Sequence, residues 1–248
     1  MLKNDLAVSL APEVFAFDRL GFRPDPWQQK VLRWTGRRLL LNCSRQVGKS
    51  SVTAILALHR VLYYPNSLIL LISPSLRQSA ELFQKICSFL NCLEVRPDVL
   101  ELSKLALRLP NGSRIVSLPS AEQTIRGYSA VDLVIEDEAA RVDDQLYRAI
   151  RPVLATSGGR LILLSTPYGQ QGHFFEEWAS GDSSWERVRV TATECPRISA
   201  KFLAEERASL GETFFNREYM CTFSDSIDQV FSYDLIEAAI SFDVKPLF

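Results

Sequence analysis

Histidine is scarce in this chain of 248 residues, with only His59 and His173. That excludes a histidine-rich metal site and leaves a Ser/His/Asp triad few members to draw on. Cysteine is odd in number at five (Cys43, Cys87, Cys92, Cys195 and Cys221), and no two form a CxxC pair. A disulfide framework or zinc ribbon is therefore not expected, and buried free thiols in a reducing compartment are. Glycine is low at 11 and proline modest at 12, so no long flexible linker is evident. No apolar run reaches the length of a bilayer. The amino-terminal stretch is broken by Asp5 and Pro12 and has no signal-peptide core. No membrane is expected among the partners. Charge of one sign is also missing, since 28 Lys+Arg face 29 Asp+Glu for a net of −1. No global basic field announces nucleic acid.

What is present is a composition of 47% hydrophobic and 23% charged residues, enough to bury a sizeable core. The near-neutral total hides a polarity. Residues 1–60 hold ten basic and four acidic residues, a net of +6, and the remaining 188 hold 18 and 25, a net of −7. Short apolar runs alternate with helix-period segments. The buried strands expected are 38–43, 67–73, 131–135 and 161–164, with a fifth at 185–191. Helices are expected over 49–63, 77–91 and 143–155, the last interrupted or restarted at Pro152. Asn111-Gly112 between 105–109 and 113–118 signals a β-hairpin. Continuous apolar strands separated by helices imply an α/β fold with a mainly parallel sheet covered on both faces. Residues 199–240 read as mostly helical and acidic. The division expected is a core over 1–195 and a helical lid or linker over 196–248.

The first strand runs into Cys43-Ser-Arg-Gln-Val-Gly-Lys-Ser50, and a helix begins there. Strand–loop–helix is the setting that a phosphate-binding loop requires. Backbone N–H groups over 45–50 would wrap phosphates, aided by the positive end of the new helix. Gly48 lets the backbone approach closely. Lys49 would reach the β- and γ-phosphates, and Ser50 would ligate Mg²⁺. The usual first glycine of such a loop is Cys43 here. The candidate nucleotide-binding set is Ser44, Arg45, Gln46, Val47, Gly48, Lys49, Ser50 and Ser51, with ATP and Mg²⁺ as the implied ligands.

Val131-Asp-Leu-Val-Ile-Glu-Asp-Glu138 is an apolar strand ending in carboxylates. Adjacent buried acids repel one another and persist most readily where a cation neutralises them. Asp137 would hold the Mg²⁺ shell through water. Glu138 would polarise the attacking water as general base. Glu136 alternates to the opposite face of the strand and is set aside.

Taken together, these residues resemble the large terminase subunit of tailed bacteriophages. Ser44-Arg-Gln-x-Gly-Lys-Ser50 looks like that family's phosphate loop, which often lacks the first glycine. Glu136-Asp-Glu-Ala139 is similar to its acidic motif, Leu163-Leu-Ser-Thr-Pro-Tyr-Gly169 to its coupling motif, and Asp25-Pro-Trp-Gln28 to its adenine-recognition segment. Glu194-Cys-Pro-Arg-Ile-Ser199, Glu218-Tyr and Val230-Phe-Ser resemble its lid region. The likeness covers about residues 20–245.

The resemblance implies a P-loop NTPase of the additional-strand class, acting as an ATP-driven motor that moves double-stranded viral DNA into a procapsid. It implies that Arg45 senses the γ-phosphate and that Arg126 inserts into a neighbouring subunit's site. It implies that Gln28 (with Gln29 the competing choice) recognises adenine. Trp27 is core or an adenine-side wall. Ser165 and Thr166 either couple hydrolysis to the lid or simply cap a turn before Pro167. Implied partners are a portal protein, a small terminase subunit and other copies in a homo-oligomeric ring, with a monomer in isolation. The implied location is the host bacterial cytoplasm, with transient residence at the procapsid portal. The family's nuclease domain is not expected within this chain, because Asp225, Asp228, Asp234 and Asp243 have helix or linker spacing. Rival expectations are a superfamily 2 helicase-like or other DNA-dependent ATPase, and a non-hydrolysing nucleotide-binding scaffold.

Overall fold

The computed structural model describes residues 2–118, 125–224, 235 and 239. Eight strands form one sheet: β1 (Arg38–Cys43), β2 (Leu68–Ile72), β3 (Glu101–Leu102), β4 (Ala106–Arg108), β5 (Arg114–Leu118), β6 (Leu133–Asp137), β7 (Arg160–Ser165) and β8 (Glu186–Val190). Their order is β3-β4-β5-β2-β6-β7-β1-β8. From β5 to β8 every pairing is parallel, and β3 and β4 extend one edge antiparallel. Strand β7 lies between the loop-bearing β1 and the acid-bearing β6. That inserted strand is what an additional-strand P-loop NTPase requires.

Strand alternation sorts the apolar residues onto two faces. Leu39, Leu41, Ile69, Leu71, Ile162 and Leu164 face one core, with helices α2 (Pro12–Leu20), α3 (Pro26–Leu32), α4 (Lys49–Tyr63) and α5 (Leu76–Cys92) packed over them. Leu40, Leu70, Ile72, Val134, Leu161 and Leu163 face the other. That side is covered by α6 (Asp144–Val153) and α7 (Gly172–Ala179). Helix α1 (Leu2–Leu10) packs on α2 and α4. Side-chain caps start two of these helices: Ser75 accepts from the Gln78 N–H, and Asp143 from the Gln145 N–H. Pro152 sits in the last turn of α6, one residue before the helix ends, so it restarts nothing.

Two helices, α8 (Ala200–Leu210) and α9 (Glu212–Met220), occupy the stretch expected as a lid. This lid has a small core of its own, Ala192, Leu203 and Phe215. The helical stretch expected over 199–240 is interrupted after Met220, where Cys221 takes a left-handed turn with φ +57°, and residues 235 and 239 are again helical. Val230-Phe-Ser and the acids Asp225, Asp228, Asp234 and Asp243 lie outside the described residues, as does Thr124.

Two elements differ from expectation. Helices α1–α3 were not anticipated, although Asp25 and Gln28 form a reciprocal capping box at the start of α3. Strand β6 begins and ends two residues later than read. Two carboxylates therefore lie within the sheet, where Glu136 meets His173 and Asp137 meets Ser50. The hairpin forms as expected, and β5 continues the sheet by pairing parallel with β2.

Candidate nucleotide-binding site

In a parallel sheet all strands end on one side, and ligands bind in the crevice beyond their carboxyl ends. Here β1 ends at Cys43, β6 at Asp137 and β7 at Ser165. Cys43 is fully buried, with extended backbone paired to Val190. A glycine is not required there, because no left-handed conformation is adopted. Gly48 is different. Its φ is +96°, and a Cβ would come within 2.8 Å of Gln28 Nε2. The loop can approach α3 and turn into α4 only with a glycine at that point.

A cleft of about 760 Å³ opens over this loop. Its lining includes Gln28, Arg45, Gly48, Lys49, Ser50 and Glu138. Lys49 Nζ lies 3.2 Å from Glu138 Oε1 and donates to Thr166 Oγ1 at 3.4 Å. Ser50 Oγ donates to Asp137 Oδ2 at 3.5 Å. Arg141 holds the other Glu138 oxygen at 3.0 Å. The Glu138 backbone is left-handed at φ +54°, and its N–H donates to its neighbour Asp137.

The electrostatics follow from burial. Burial alone would lower the Lys49 pKa, but Glu138 and Asp137 outweigh it and hold the ammonium charged. Burial raises Asp137 to about 6, with Glu138 adding to the rise and Lys49 opposing it. A buried carboxyl held up in this way is one that a cation would neutralise. Among the described residues no group of three or more His, Cys, Asp or Glu forms a metal cage. Ser50 and Asp137 fit a Mg²⁺ that keeps waters and takes phosphate oxygens, as that ion prefers.

The segment expected as a lid packs against the same cleft. Arg45 makes an ion pair with the buried Glu218, and its backbone N–H donates to the Glu218 carbonyl at 3.3 Å. Asn42 Nδ2 donates to the Cys221 carbonyl at 3.1 Å. The segment after β7, expected to have a coupling role, reaches the same region. Gly169 bridges Ser224, and the Gln170 N–H donates to the Ser224 carbonyl at 3.2 Å.

The sequence similarities agree with this geometry. The family described as terminase large subunit, T4likevirus-type, N-terminal, matches residues 40–238. The chain belongs to this terminase large-subunit family. The terminase large subunit of Thermus phage G20c is 26% identical over 258 residues, covering 90% of this chain and 53% of the relative. The probable terminase large subunit of Enterobacteria phage P7 is 24% identical over 221 residues, covering 80% and 45%. The chain thus spans about half the length of the curated relatives it matches. The large terminase ATPase domain of Thermus phage P74-26 superposes with a TM-score of 0.75 at 23% identity, over 86% of this chain and 99% of that one. The HK97 bacteriophage large terminase gives 0.68 at 19% identity, over 87% and 54%. The large terminase of a thermophilic bacteriophage, solved in complex with ATP-gamma-S, gives 0.64 at 13%, over 80% and 52%. These structures establish the P-loop NTPase fold.

Within the terminase fold the sequence-derived residues separate into three groups. Gln28, Arg45, Gln46, Gly48, Lys49, Ser50, Ser51 and Glu138 line one cleft, with Asp137 and Thr166 in contact with it through Ser50 and Lys49. Ser44 and Val47 turn inward and are buried; the Ser44 N–H donates to the Val190 carbonyl and its hydroxyl to the Arg45 carbonyl. With the Arg45 N–H given to the lid, the backbone cradle narrows to residues 46–50. Arg126 lines a separate cleft, with Tyr128, Arg148 and Pro152 among its neighbours. Ser165 is buried and its hydroxyl donates to the Thr166 carbonyl, so it is Thr166 that meets Lys49.

Gln28 is occupied in this arrangement. Its Oε1 accepts the Asp25 N–H and its Nε2 donates to the Val47 carbonyl. Gln29 instead donates to the Pro24 carbonyl. Trp27 is partly buried and packs against the first core.

Sequence reasoning missed Arg197. Its guanidinium is bidentate on Asp25, at 3.1 and 2.8 Å, and donates to the Val47 carbonyl at 3.0 Å. It therefore joins α3, the phosphate loop and the lid segment. Arg141 was also missed. Its position three residues after Glu138 was the available signal.

Proposed function

We propose that this chain is the ATP-hydrolysing motor part of a DNA-packaging terminase, using Mg²⁺-dependent ATP hydrolysis to drive double-stranded DNA into a procapsid. The observation that carries the proposal is the meeting of Lys49, Ser50, Asp137, Glu138 and Thr166 at one cleft beyond the sheet's carboxyl edge.

The substrate phosphates suit the loop, where backbone N–H groups and the start of α4 present positive charge. Mg²⁺ at Ser50 and Asp137 would supply charge neutralisation and orientation of the phosphates. The other steps belong to the chain itself. Lys49 exchanges Glu138 for phosphate oxygen. Glu138 is then free to take a proton from the attacking water, with Arg141 fixing its second oxygen. Arg45 exchanges Glu218 for the γ-phosphate, which unlatches the lid. Thr166 loses its contact with Lys49, and the coupling segment carries that change to Ser224 and the lid. Arg126, on its separate cleft, reaches the site of a neighbouring copy in a ring and stabilises charge in the transition state. With a net charge of −1, the grip on DNA belongs to the assembled ring, together with portal protein and small terminase subunit.

Phosphate release by wild type and Glu138→Gln tests this. The variant is expected to bind ATP with near-normal affinity and to hydrolyse it about 100-fold more slowly or worse, the usual scale for a lost general base. A folded variant with the wild-type rate would remove Glu138 from the role.

A further inference from the structure

His173 is buried and takes no part in the nucleotide cleft. It nonetheless makes two of the shortest side-chain contacts around the acidic strand. Its Nε2 lies 2.7 Å from Glu136 Oε1 on β6, and its Nδ1 lies 2.9 Å from Asp144 Oδ1 on α6. The same Asp144 oxygen accepts the His173 backbone N–H at 2.7 Å. Tyr147, also on α6, stacks flat on the ring at 4.4 Å and 9°. Glu136 is fully buried, and its second oxygen has no hydrogen-bond partner. The ring is thereby fixed at both nitrogens between β6 and α6 and held flat by Tyr147. Without His173 the buried Glu136 would lose the one hydrogen-bond partner shown for its side chain, an arrangement proteins avoid.

Position gives the contact its meaning. Glu136 immediately precedes Asp137 and Glu138, and Glu138 is held in a left-handed conformation. His173 stands in the first turn of α7, directly after the coupling segment that meets Lys49 at Thr166 and the lid at Ser224. The imidazole thus fastens the far end of the coupling segment to the strand that carries both hydrolytic carboxylates.

We propose that His173 is a positioning residue for hydrolysis: through Glu136 it sets the end of β6 so that Glu138 meets the attacking water, and it ties that setting to the coupling segment. This rests on the hydrolytic role proposed above for the same cleft. His173 touches no substrate. Its loss changes the placement of Glu138 and leaves the phosphate loop intact, so it acts on turnover and not on nucleotide affinity.

The test is steady-state ATP hydrolysis with duplex DNA at rising protein concentration, together with fluorescent-nucleotide binding, for wild type, His173→Gln, Glu136→Gln and Glu138→Gln. His173→Gln is expected to lower kcat about 10- to 100-fold, the scale of a misplaced catalytic group, with KM and nucleotide affinity within about twofold. Glu136→Gln keeps the volume and an acceptor for His173 while removing the charge, and it carries the same test where His173→Gln does not fold. Its kcat is expected to fall less, again with affinity unchanged. Folded variants with the wild-type kcat, or with affinity falling in step with kcat, overturn the proposal. If wild type hydrolyses ATP and Glu138→Gln does not, a wild-type kcat in the His173 and Glu136 variants overturns the His173 inference alone. A wild type without hydrolysis overturns the motor function on which it depends.

Discussion

The sheet edge and the lid face the same cleft, but different forces hold them. Strands β1, β2, β6 and β7 are buried almost throughout, between two apolar clusters that helices cover on both sides. The lid shares one three-residue cluster with Ala192, sets only Ile198 and Phe223 against the main cores, and is held beside the cleft by polar contacts. Arg189 donates to the Met220 carbonyl at 2.5 Å, Asn42 to Cys221 at 3.1 Å, and Arg45 pairs with Glu218. Apolar burial is non-directional, and a small charged ligand cannot replace it. Ion pairs and single hydrogen bonds can be exchanged for contacts with a phosphate at little net cost. In the function proposed above, the part that stays rigid is built by the first means, and the part that moves by the second. Elements that move in a cycle come from the low-stability end of a structure.

The strongest way to break this comparison is to cut equal holes in both regions. Leu164 is fully buried on β7, and Leu203 is 8% exposed in the lid. Leu164→Ala should cost about 3–5 kcal/mol, in the upper range for a core leucine. Leu203→Ala should cost about 2 kcal/mol or less, because a three-residue cluster relaxes around the gap. Urea unfolding of both variants measures the difference. Equal losses would mean the lid is as much part of the core as the sheet.

How far the molecule could be read from its sequence follows the same division. Strands buried on both faces are continuous apolar runs, so β1, β2, β6 and β7 were readable with errors of about two residues or fewer. The phosphate loop and acidic strand were readable because their chemistry is local: Gly48, Lys49, Ser50, Asp137 and Glu138 sit where two strands end. Contacts between distant segments carry no such signal. Arg197 reaches Asp25 across 172 positions, and Arg45 reaches Glu218 from the far end of the chain. Strand alternation placed Glu136 off the catalytic face, and it does lie there. Alternation could not reveal that His173 would meet it. Helices α1 and α2 were missed because periodicity over nine residues each is short, and no side-chain cap marks α2.

A second test sharpens the lid's side of the comparison. Glu218→Gln removes the charge that holds Arg45 and is also 3.2 Å from Arg217. Glu218 is buried, but Arg45 is 57% exposed, so solvent screens the pair. The expected loss in global stability is small, about 1 kcal/mol or less. The expected gain in lid opening is larger than that figure suggests, because the ties left between α9 and the sheet edge include only single hydrogen bonds such as those to Met220 and Cys221. Limited proteolysis should cut residues 191–224 faster in the variant while the sheet resists as before. Equal cleavage rates would show that the ion pair is not the latch.

The smallest expected effect is a dependence of stability on pH that begins in the sheet. Burial would lower the His173 pKa, but Glu136 and Asp144 outweigh it, so the folded value lies above the ordinary 6.5 or so. Groups facing the ring come from β6 (Glu136) and α6 (Asp144 and the Tyr147 hydroxyl), and Glu177 of α7 accepts from that hydroxyl at 2.7 Å. Arg148 acts on Asp144 and offsets part of its charge. A histidine with a raised folded pKa contributes stability that is complete below about pH 6.5, its unfolded value, and is lost as pH rises through the folded value. Melting temperature should therefore decline more steeply on the alkaline side in wild type than in Glu136→Gln, where the ring keeps only Asp144. The two curves should converge at high pH, once the imidazole is neutral in both. Parallel curves across the range would mean that Glu136 does not hold the proton on His173. The brace between the acidic strand and α7 would then be a neutral hydrogen bond, and the sheet would share the lid's dependence on exchangeable polar ties at this point.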